Sequence, residues 1–206
     1  MPIIHLMRHG HVYNPEDILY GRLPNFHLST TGEQMARVTA AYVKEHRPDV
    51  ARIVSSPLLR AQQTAAIMSA TLGPVVETDE RLIEASNAFE GEPLRPACRF
   101  LMPNRWWRLR NPFRPSWGEP YTEQRDRMMA AVLDAAQKEP VHETVLVSHQ
   151  LPIWVTRLAS EGKSFAHIPS SRECRLASLT SLTVTDGAVV KVEYSEPAAG
   201  VKVPKK

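Results

Sequence analysis

Ile-Ile-His-Leu-Met-Arg-His-Gly-His, residues 3–11, is the stretch around which this chain is organised. Its apolar run predicts a short buried strand that stops abruptly at a cation, an imidazole and a glycine. Open α/β folds bind their ligands at the carboxyl ends of such strands, and Gly10 allows the backbone to turn sharply or to approach a ligand closely. We therefore expect Arg8 and His9 to face a ligand.

The composition of the 206 residues, 43% hydrophobic and 23% charged, is typical of a globular protein. We expect one domain over residues 1–195 and a flexible tail over 196–206. The formal net charge of +3 is too small to indicate a nucleic-acid partner. Cys98 and Cys174 lie in no metal-binding or redox spacing and suggest a reducing compartment. No signal peptide or membrane span is recognisable, which predicts a cytoplasmic protein without a membrane partner, and the oligomeric state stays open.

Strand-like and helix-like segments alternate along the chain. Further strands are expected at 51–54, 75–76, 144–147, 177–185 and 188–194, and helices from Thr30 to Pro48, from Ser56-Pro57 to Gly73, from Thr122 to Pro140 and from Ile153 to near Gly162. Thr30 and Glu33 form a capping-box pattern for the first helix, and Ser56 is expected to cap the second helix with Pro57 at its first position. Asp186-Gly187 is typical of the turn of a hairpin between the last two strands. This alternation predicts a three-layer α/β/α sandwich with a mostly parallel central sheet and an antiparallel hairpin at its edge.

Polar groups follow three of the predicted strands. Arg8-His9 ends the first strand, Ser56 and Arg60 follow the second, and His149 follows residues 144–147. Because parallel strands end at the same edge of a sheet, we expect these groups to converge. Two guanidinium groups, two imidazoles and the amino end of a helix suit a compact anion, and phosphate is the obvious one.

Phosphoryl transfer needs an in-line nucleophile, fixed positive charge and a proton for the leaving alkoxide. His9 is the expected nucleophile, with its tautomer fixed by a hydrogen bond from its other ring nitrogen to a carbonyl. The positive charge would come from Arg8, Arg60 and His149. Glu84 is the expected proton donor, because a carboxyl partly buried beside Phe89 would have a raised pKa, and it competes for this role with Glu80 and Glu90.

Five motifs follow one another between residue 3 and about residue 160. They are Leu6-Met7-Arg8-His9-Gly10, Leu28-Ser29-Thr30-Thr31-Gly32, Ser55-Ser56-Pro57-Leu58-Leu59-Arg60-Ala61-Gln62-Gln63-Thr64-Ala65, Glu84 with Phe89-Glu90-Gly91, and Val147-Ser148-His149. The Arg-His-Gly tripeptide alone is a weak signal, but the ordered combination is highly specific. The sequence resembles the histidine phosphatase superfamily in its phosphoglycerate mutase-like branch.

The resemblance implies a three-layer fold and a reaction that needs neither metal nor cofactor and phosphorylates His9. It implies that Arg8, Arg60 and His149 hold the phosphoryl group and that Glu84 donates the proton. It further implies phosphate contacts by Asn14, Gly21 and Gln150.

The chain departs from the family pattern at four positions. His11 stands where many relatives carry Glu or Gln, and Asn14 lies one residue nearer the first motif than is common. Glu84 is one residue closer to its Phe-Glu-Gly than usual. Gln150 takes the place of a frequent Gly, which leaves its backbone N–H for phosphate. None of these departures removes a required charge.

Two segments have alternative interpretations. The pair His9 and His11 also resembles the metal ligands on the first strand of barrel hydrolases, but such barrels need about 250 residues. Residues 92–121, rich in Arg, Trp and Pro, form either a lid or insertion that contacts the non-phosphate part of the substrate or a satellite hydrophobic cluster. The same interleaving of rings and cations also suits RNA.

The sequence thus predicts a phosphomonoesterase, a metal-independent hydrolase that acts on a small phosphorylated metabolite through a phosphohistidine at His9. Phosphoglycerate mutase-type transfer is the first alternative, since the same intermediate can return its phosphoryl group to a substrate hydroxyl. The chain is shorter than mutases of this family and lacks their usual long stretch after the Glu-Gly. An inactive relative that binds a phosphorylated ligand is the second alternative, and the intact set of two arginines and two histidines argues against it.

Overall fold

The computed structural model describes residues 1–93 and 118–203 of the chain. Its strands are β1 (Ile3–Arg8), β2 (Val50–Ser55), β3 (Val76–Thr78), β4 (Glu143–Ser148), β5 (Leu179–Thr185) and β6 (Ala188–Ser195). Its α-helices are α1 (Thr30–His46), α2 (Leu59–Leu72), α3 (Tyr121–Lys138) and α4 (Gln150–Ser160), and short 3-10 turns lie at Glu80–Leu82 and Pro169–Ser171. None of these helices is both long and apolar enough to cross a membrane.

The described strands form one open sheet in the order β3-β2-β4-β1-β5-β6. The first four strands in this order are mutually parallel, whereas β5 is antiparallel to β1 and β6 is antiparallel to β5. Asp186 and Gly187, with φ values of 51° and 75°, form the turn of the final hairpin. The predicted fold class is therefore confirmed, and the open sheet does not match the barrel that the metal-ligand interpretation needs.

The two faces of the sheet carry separate apolar layers, because successive side chains of a strand point to opposite faces. On one face, Ile4 of β1 packs in a cluster with Met128 of α3 and Ile153 of α4. On the other face, Met7 of β1 packs in a cluster with side chains of α1 and α2, among them Met35. This arrangement produces the three layers, and it holds β1 rigidly in their centre.

The two helix starts that flank the site differ from the sequence-based expectation. Helix α1 begins at Thr30, and its capping residue is Ser29, whose hydroxyl accepts a hydrogen bond from the Gly32 N–H at 3.1 Å. Helix α2 begins at Leu59 with no side-chain cap, so the prediction of a Ser56 cap with Pro57 at the first helical position is wrong. The Ser56 hydroxyl is instead buried against His149.

Two further expectations concern chain segments outside the regular elements. Residues 94–117 and 204–206 lie outside the described residues, so most of the predicted lid or cluster at 92–121 falls there. Within the segment that was expected to form a tail, Ala198 is 4% exposed and packs in the same cluster as Leu179. Hydrogen bonds from the Ala199 N–H to the Glu196 carbonyl and from the Val201 N–H to the Ala198 carbonyl order this segment. A small side chain among the Pro and Gly residues suffices to anchor it.

Candidate active site

The exits of three strands are joined by backbone hydrogen bonds at one edge of the sheet. The N–H of His9, which follows β1, donates to the Ser148 carbonyl at 3.1 Å, and the N–H of Ser56, which follows β2, donates to the Val147 carbonyl at 2.9 Å. Both acceptors belong to the last two residues of β4. The convergence predicted from the parallel order is therefore present, and it places the side chains that follow these strands next to one another.

His9 is 2% exposed, and its Nδ1 atom lies 2.8 Å from the Gly10 carbonyl oxygen. A carbonyl oxygen can only accept, so Nδ1 carries the proton and the neutral ring presents an unprotonated Nε2. Burial, and then the charges of Arg60 and Arg8, lowers the pKa of His9 well below its ordinary value, which keeps the ring neutral. The hydrogen bond expected from the sequence thus leaves Nε2 as a nucleophilic atom.

The loop that follows His9 packs closely against the first turn of α1 through two glycines. A Cβ on Gly10 would collide with the Gly32 carbonyl, and a Cβ on Gly32 would collide with the His11 carbonyl. The Gly10 N–H also donates to the Thr64 hydroxyl of α2 at 3.2 Å. Both helices of this layer therefore fix the backbone beside His9.

Arg60, the second residue of α2, is 1% exposed. One terminal nitrogen donates to the Gly21 carbonyl at 2.6 Å, and the guanidinium lies 4.8 Å from the centre of the Tyr20 ring. Its Nε atom is buried and has no hydrogen-bond partner among the described residues. The loop around Gly21 therefore positions Arg60, and Gly21 contributes a carbonyl that holds the arginine.

Arg8 ends β1 and is held from the side of residues 172–178. Its Nη1 donates to the Cys174 carbonyl at 2.7 Å, and its Nε is buried without a partner among the described residues. The Gln150 side-chain amide lies 3.5 Å from the same carbonyl. Gln150 is also the first residue of α4, whose early N–H groups have no acceptor within the helix.

His149 precedes α4 and is fully buried. Its ring centre lies 5.1 Å from that of His9, its Nε2 lies 2.8 Å from the Ser56 hydroxyl, and its Nδ1 is buried without a partner within the described part of the chain. Burial is the main reason that the pKa of His149 is lowered well below its ordinary value, and the nearby His9, Arg60 and Arg8 lower it further. The ring is therefore neutral and has one ring nitrogen available.

Three buried nitrogen atoms in this cluster thus have no partner in the described residues: Nε of Arg8, Nε of Arg60 and Nδ1 of His149. A buried polar atom left unpaired costs about 1–3 kcal/mol, and native structures rarely leave three together unless a ligand pairs with them. The ring centres of His9 and His149 are 5.1 Å apart, and the charges of both arginines lower the pKa of both histidines. The arrangement is suited to a tetrahedral anion next to Nε2 of His9.

Glu84 is the expected proton donor, and its carboxyl interacts electrostatically with Arg60 and Arg8. It accepts a hydrogen bond from the Ala85 N–H at 2.9 Å, and the Arg22 Nε holds the Glu84 carbonyl at 2.6 Å. Burial raises the pKa of Glu84 despite the opposing effects of the Ala85 N–H, Arg60 and Arg8. A carboxyl with a raised pKa is able to carry a proton into the site.

The two competing carboxyls have different surroundings. Glu80 is exposed in the 3-10 turn. Glu90 accepts from the N–H groups of Arg22 at 3.0 Å and Asn87 at 3.3 Å, and therefore orders the loop that carries Gly21. Glu84 is partly exposed, its charge interacts with both arginines and its pKa is raised, which fits the expected proton donor.

The side chains of Asn14 and His11 pair with the loops around the site. The Asn14 amide donates to the Ile18 carbonyl at 2.8 Å and accepts from the Ile18 N–H, and His11 pairs through Nδ1 with the Ser29 hydroxyl at 2.8 Å. Within residues 1–93 and 118–203, no three His, Cys, Asp or Glu side chains are grouped as metal ligands. The pair His9 and His11 therefore has no third described ligand.

Sequence reasoning missed Ser56 as the partner of His149 and assigned no role to Arg172. Arg172 is partly buried, and its pKa is lowered by burial and influenced by the charges of Glu84 and Arg8, so it lies near the site. Ser56 follows a strand directly, which was a usable signal. Arg172 lies in an irregular segment without periodicity, and no sequence signal marks it.

Comparison with known proteins gives close relatives over most of the chain. An uncharacterised Mycobacterium tuberculosis protein, Rv0525, is 49% identical over 197 residues, which cover 95% of this chain and 96% of that protein. The Bacillus subtilis uncharacterised phosphatase PhoE is 32% identical over 151 residues, or 72% of each chain.

Solved structures with the same fold cover nearly the whole chain. Bacillus stearothermophilus YhfR superimposes with a TM-score of 0.77 at 23% identity over 92% of this chain and 94% of its own, and it supports the fold alone. The mycobacterial glucosyl-3-phosphoglycerate phosphatase in complex with VO3 gives a TM-score of 0.76 at 25% identity over 94% of this chain and 98% of its own. The family model described as histidine phosphatase superfamily (branch 1) matches residues 4–197, and with the relatives above it shows that this chain belongs to that superfamily.

Proposed function

We propose that the protein is a metal-independent phosphomonoesterase that acts on a small phosphorylated metabolite through a phosphohistidine at His9. The observation that carries this proposal is the set of three buried, unpartnered nitrogen atoms of Arg8, Arg60 and His149 near the unprotonated Nε2 of His9. A phosphoryl group would accept hydrogen bonds from both arginine nitrogens, and from Nδ1 of His149 when that atom carries the proton. Fixed positive charge of this kind stabilises the charge that the equatorial oxygens carry in phosphoryl transfer.

His149 acts as a neutral donor in this scheme. If Nε2 of His149 donated to Ser56, Nδ1 would present a lone pair to the anion, which is repulsive. If Ser56 donates its O–H to Nε2 instead, the proton resides on Nδ1, and the ring donates to a phosphoryl oxygen without carrying a charge. Ser56 is therefore a positioning residue that selects the tautomer of His149.

The first half-reaction transfers the phosphoryl group to the protein. Nε2 of His9 forms a bond to phosphorus while the bond from phosphorus to the ester oxygen breaks, and Glu84 gives its proton to the departing oxygen. The carboxylate that remains is close to the positive charges of Arg60 and Arg8. Burial thus favours the protonated Glu84 that is needed before the transfer, and the arginine charges stabilise the carboxylate that is left after it.

The second half-reaction returns the site to its starting state. A water molecule attacks phosphorus and gives a proton to the Glu84 carboxylate while the bond to Nε2 breaks, so that inorganic phosphate leaves. In a mutase, a substrate hydroxyl would take the place of this water. Two of the proteins to which this chain is similar, PhoE and the glucosyl-3-phosphoglycerate phosphatase, are named as phosphatases, which favours water as the acceptor.

The test is hydrolysis of p-nitrophenyl phosphate by the purified protein in a strong chelator, on the acid side of neutral. We expect turnover, and a phosphorylated peptide containing His9 after rapid quenching and mass spectrometry. His9→Ala should abolish both signals, whereas His46→Ala, at the exposed end of α1, should not. Undiminished turnover by His9→Ala would refute the nucleophile. Incubation of 3-phosphoglycerate with and without 2,3-bisphosphoglycerate then separates hydrolysis from mutase transfer.

A further inference from the structure

A cavity of about 520 Å³ lies beside the catalytic edge, on the side of Arg8. We call it the Arg172 pocket. Its polar and charged lining consists of Arg8, Gln150, Ser170, Arg172, Arg175 and Glu196. Three guanidinium groups thus face one carboxylate, and the remaining wall comes largely from apolar side chains such as Met35 and Ala198. The pocket therefore has the charge of an anion site.

Arg172 and Arg175 line this pocket but do not belong to the phosphoryl site, and they have no anionic partner in the described part of the chain. Neither Arg172 nor Arg175 forms an ion pair there, although Arg157 pairs with Glu173, which lies between them in sequence. Partly buried cations in folded proteins are normally paired, because removing a charge from water is costly. An unpaired and partly buried Arg172 in a cavity indicates that a ligand supplies the missing anion.

Arg172 is also held in place before any ligand binds. Its Nε–H donates to Nε2 of His167 at 2.8 Å, and Nδ1 of His167 donates to the Phe165 carbonyl at 2.6 Å. The His167 ring contacts the rings of Trp154 and Tyr121, with ring centres 6.0 Å and 5.8 Å apart. The two terminal nitrogens of Arg172 make no hydrogen bond to the described residues. Both can therefore donate to a ligand from a guanidinium group whose orientation is already fixed.

Arg8 connects this pocket with the phosphoryl site. It lines the pocket and its Nη1 is bound by the Cys174 carbonyl, while its unpartnered Nε belongs to the donors around His9. The charges of Glu84 and Arg8 both act on the pKa of Arg172, so the pocket lies within electrostatic range of the proposed proton donor. Arg8 is therefore shared by the candidate phosphoryl site and the Arg172 pocket.

We propose that the Arg172 pocket binds a second anionic group of the substrate, so that the natural substrate is a phosphomonoester that also carries a carboxylate or a second phosphate. This inference rests on the proposed phosphomonoesterase function and names its substrate class. Arg172 and Arg175 are then specificity-determining residues, and His167 positions Arg172. The pocket selects by charge at a distance from the bond that breaks.

The test is calorimetric binding to the protein carrying His9→Ala, which removes turnover from the measurement. One arm compares glycerol 3-phosphate with 3-phosphoglycerate, which differ by a carboxylate. The other arm compares glucose 6-phosphate with glucose 1,6-bisphosphate, which differ by a phosphate. In at least one pair, we expect the ligand that carries the second anionic group to bind about tenfold more tightly than its partner, the effect of one charge-assisted contact. The arm that shows the preference identifies the second group.

Variants of the pocket decide whether this preference belongs to it. In the same background, Arg172→Gln and Arg175→Gln should each reduce the preference, and Arg37→Gln, on the exposed face of α1, should retain it. Because Arg175 is exposed, its variant remains informative if Arg172→Gln fails to fold. The inference is overturned if neither pair shows a preference, or if the preference survives both substitutions. Loss of p-nitrophenyl phosphate turnover in the unmodified protein would instead remove the proposed function, and the binding comparison would still give its answer.

Discussion

The Ser56 hydroxyl and Nε2 of His149 lie 2.8 Å apart although 93 positions separate the two residues in the chain. Both side chains are fully buried, and the contact connects the exit of β2 with the exit of β4. The Ser56 hydroxyl was expected to cap a helix. It instead contacts His149, which we propose to donate a hydrogen bond to the phosphoryl group. The contact makes the protonation of His149 a property of the fold rather than of the solvent.

Replacement of Ser56 by Ala should therefore weaken phosphoryl binding without removing the nucleophile. We expect kcat/KM for p-nitrophenyl phosphate to fall about tenfold, the equivalent of one lost hydrogen bond. Ser56→Thr, which keeps the hydroxyl, should restore most of it. Nitrogen NMR shifts of His149 should report a proton on Nδ1 in the unmodified protein and a mixture of tautomers in Ser56→Ala. An unchanged tautomer in Ser56→Ala would contradict the positioning role.

The raised pKa of Glu84 predicts a dependence on the leaving group. Glu84→Gln should slow an alkyl ester such as glycerol 3-phosphate by about 100-fold or more, the usual value of a general acid, and p-nitrophenyl phosphate far less. With the native carboxyl, kcat/KM for the alkyl ester should decrease as the pH rises through the raised pKa, because the proton is lost. In Glu84→Gln, kcat/KM for the alkyl ester should not show this decrease with rising pH. Glu80→Gln is the matched control and should behave as the native protein, and equal losses on both esters would place the proton donor elsewhere.

The lowered pKa values of His9 and His149 predict that acid destabilises the fold. Below pH 6.5 the unfolded chain binds protons that these buried rings do not bind, so the free energy of unfolding should fall as the pH falls. Glu84 contributes with the opposite sign, since its raised pKa favours the fold at low pH and loses this effect as the pH rises above its ordinary value. Because two histidines act in one direction and one carboxyl in the other, we expect the free energy of unfolding to decrease overall in acid. In urea unfolding between pH 7 and 5, His149→Gln should reduce the slope by up to about 1.4 kcal/mol per pH unit, and an unaltered slope would count against a neutral His149.

The contact between the two loop glycines predicts a position where a single methyl group is costly. Gly32→Ala would force its Cβ onto the His11 carbonyl, which belongs to backbone and cannot move freely. We expect a loss of about 1–3 kcal/mol in the free energy of unfolding, the usual cost of overpacking. Gly200→Ala is the matched control, because a Cβ there would meet nothing within 4 Å. Chemical denaturation of the two variants checks the difference, and equal stability would show that the loop adapts.

The sheet and the grouping of the candidate site were predictable from the sequence because their signals are local. A continuous apolar run predicted the strand at 144–147, and the structure has it at Glu143–Ser148. Asp186-Gly187 predicted the hairpin through its turn chemistry. Once the strands were known to be parallel, the sites that follow them had to share an edge, so Arg8, His9, Arg60 and His149 could be grouped without any knowledge of contacts.

The errors arose where distant parts of the chain compete for one group. The Ser56 hydroxyl can cap a helix or pair with an imidazole, and only the folded position of His149 decides between them. Ala198 looked like part of a tail because its neighbours are Pro and Gly, but burial against Leu179 depends on where the tail returns. Arg172 has no motif, since its surroundings are assembled from residues far apart in the chain.

The burial of Ala198 has a consequence for how the molecule opens. The carboxyl-terminal turn covers the same apolar layer that supports the loop of the nucleophile, so the turn cannot detach without exposing that layer to water. Amide protons of Ala199 and Val201 should accordingly exchange with solvent deuterium in step with the central strands rather than at the rate of a frayed end. This turn thus belongs to the cooperative unit that keeps the edge with the candidate site assembled.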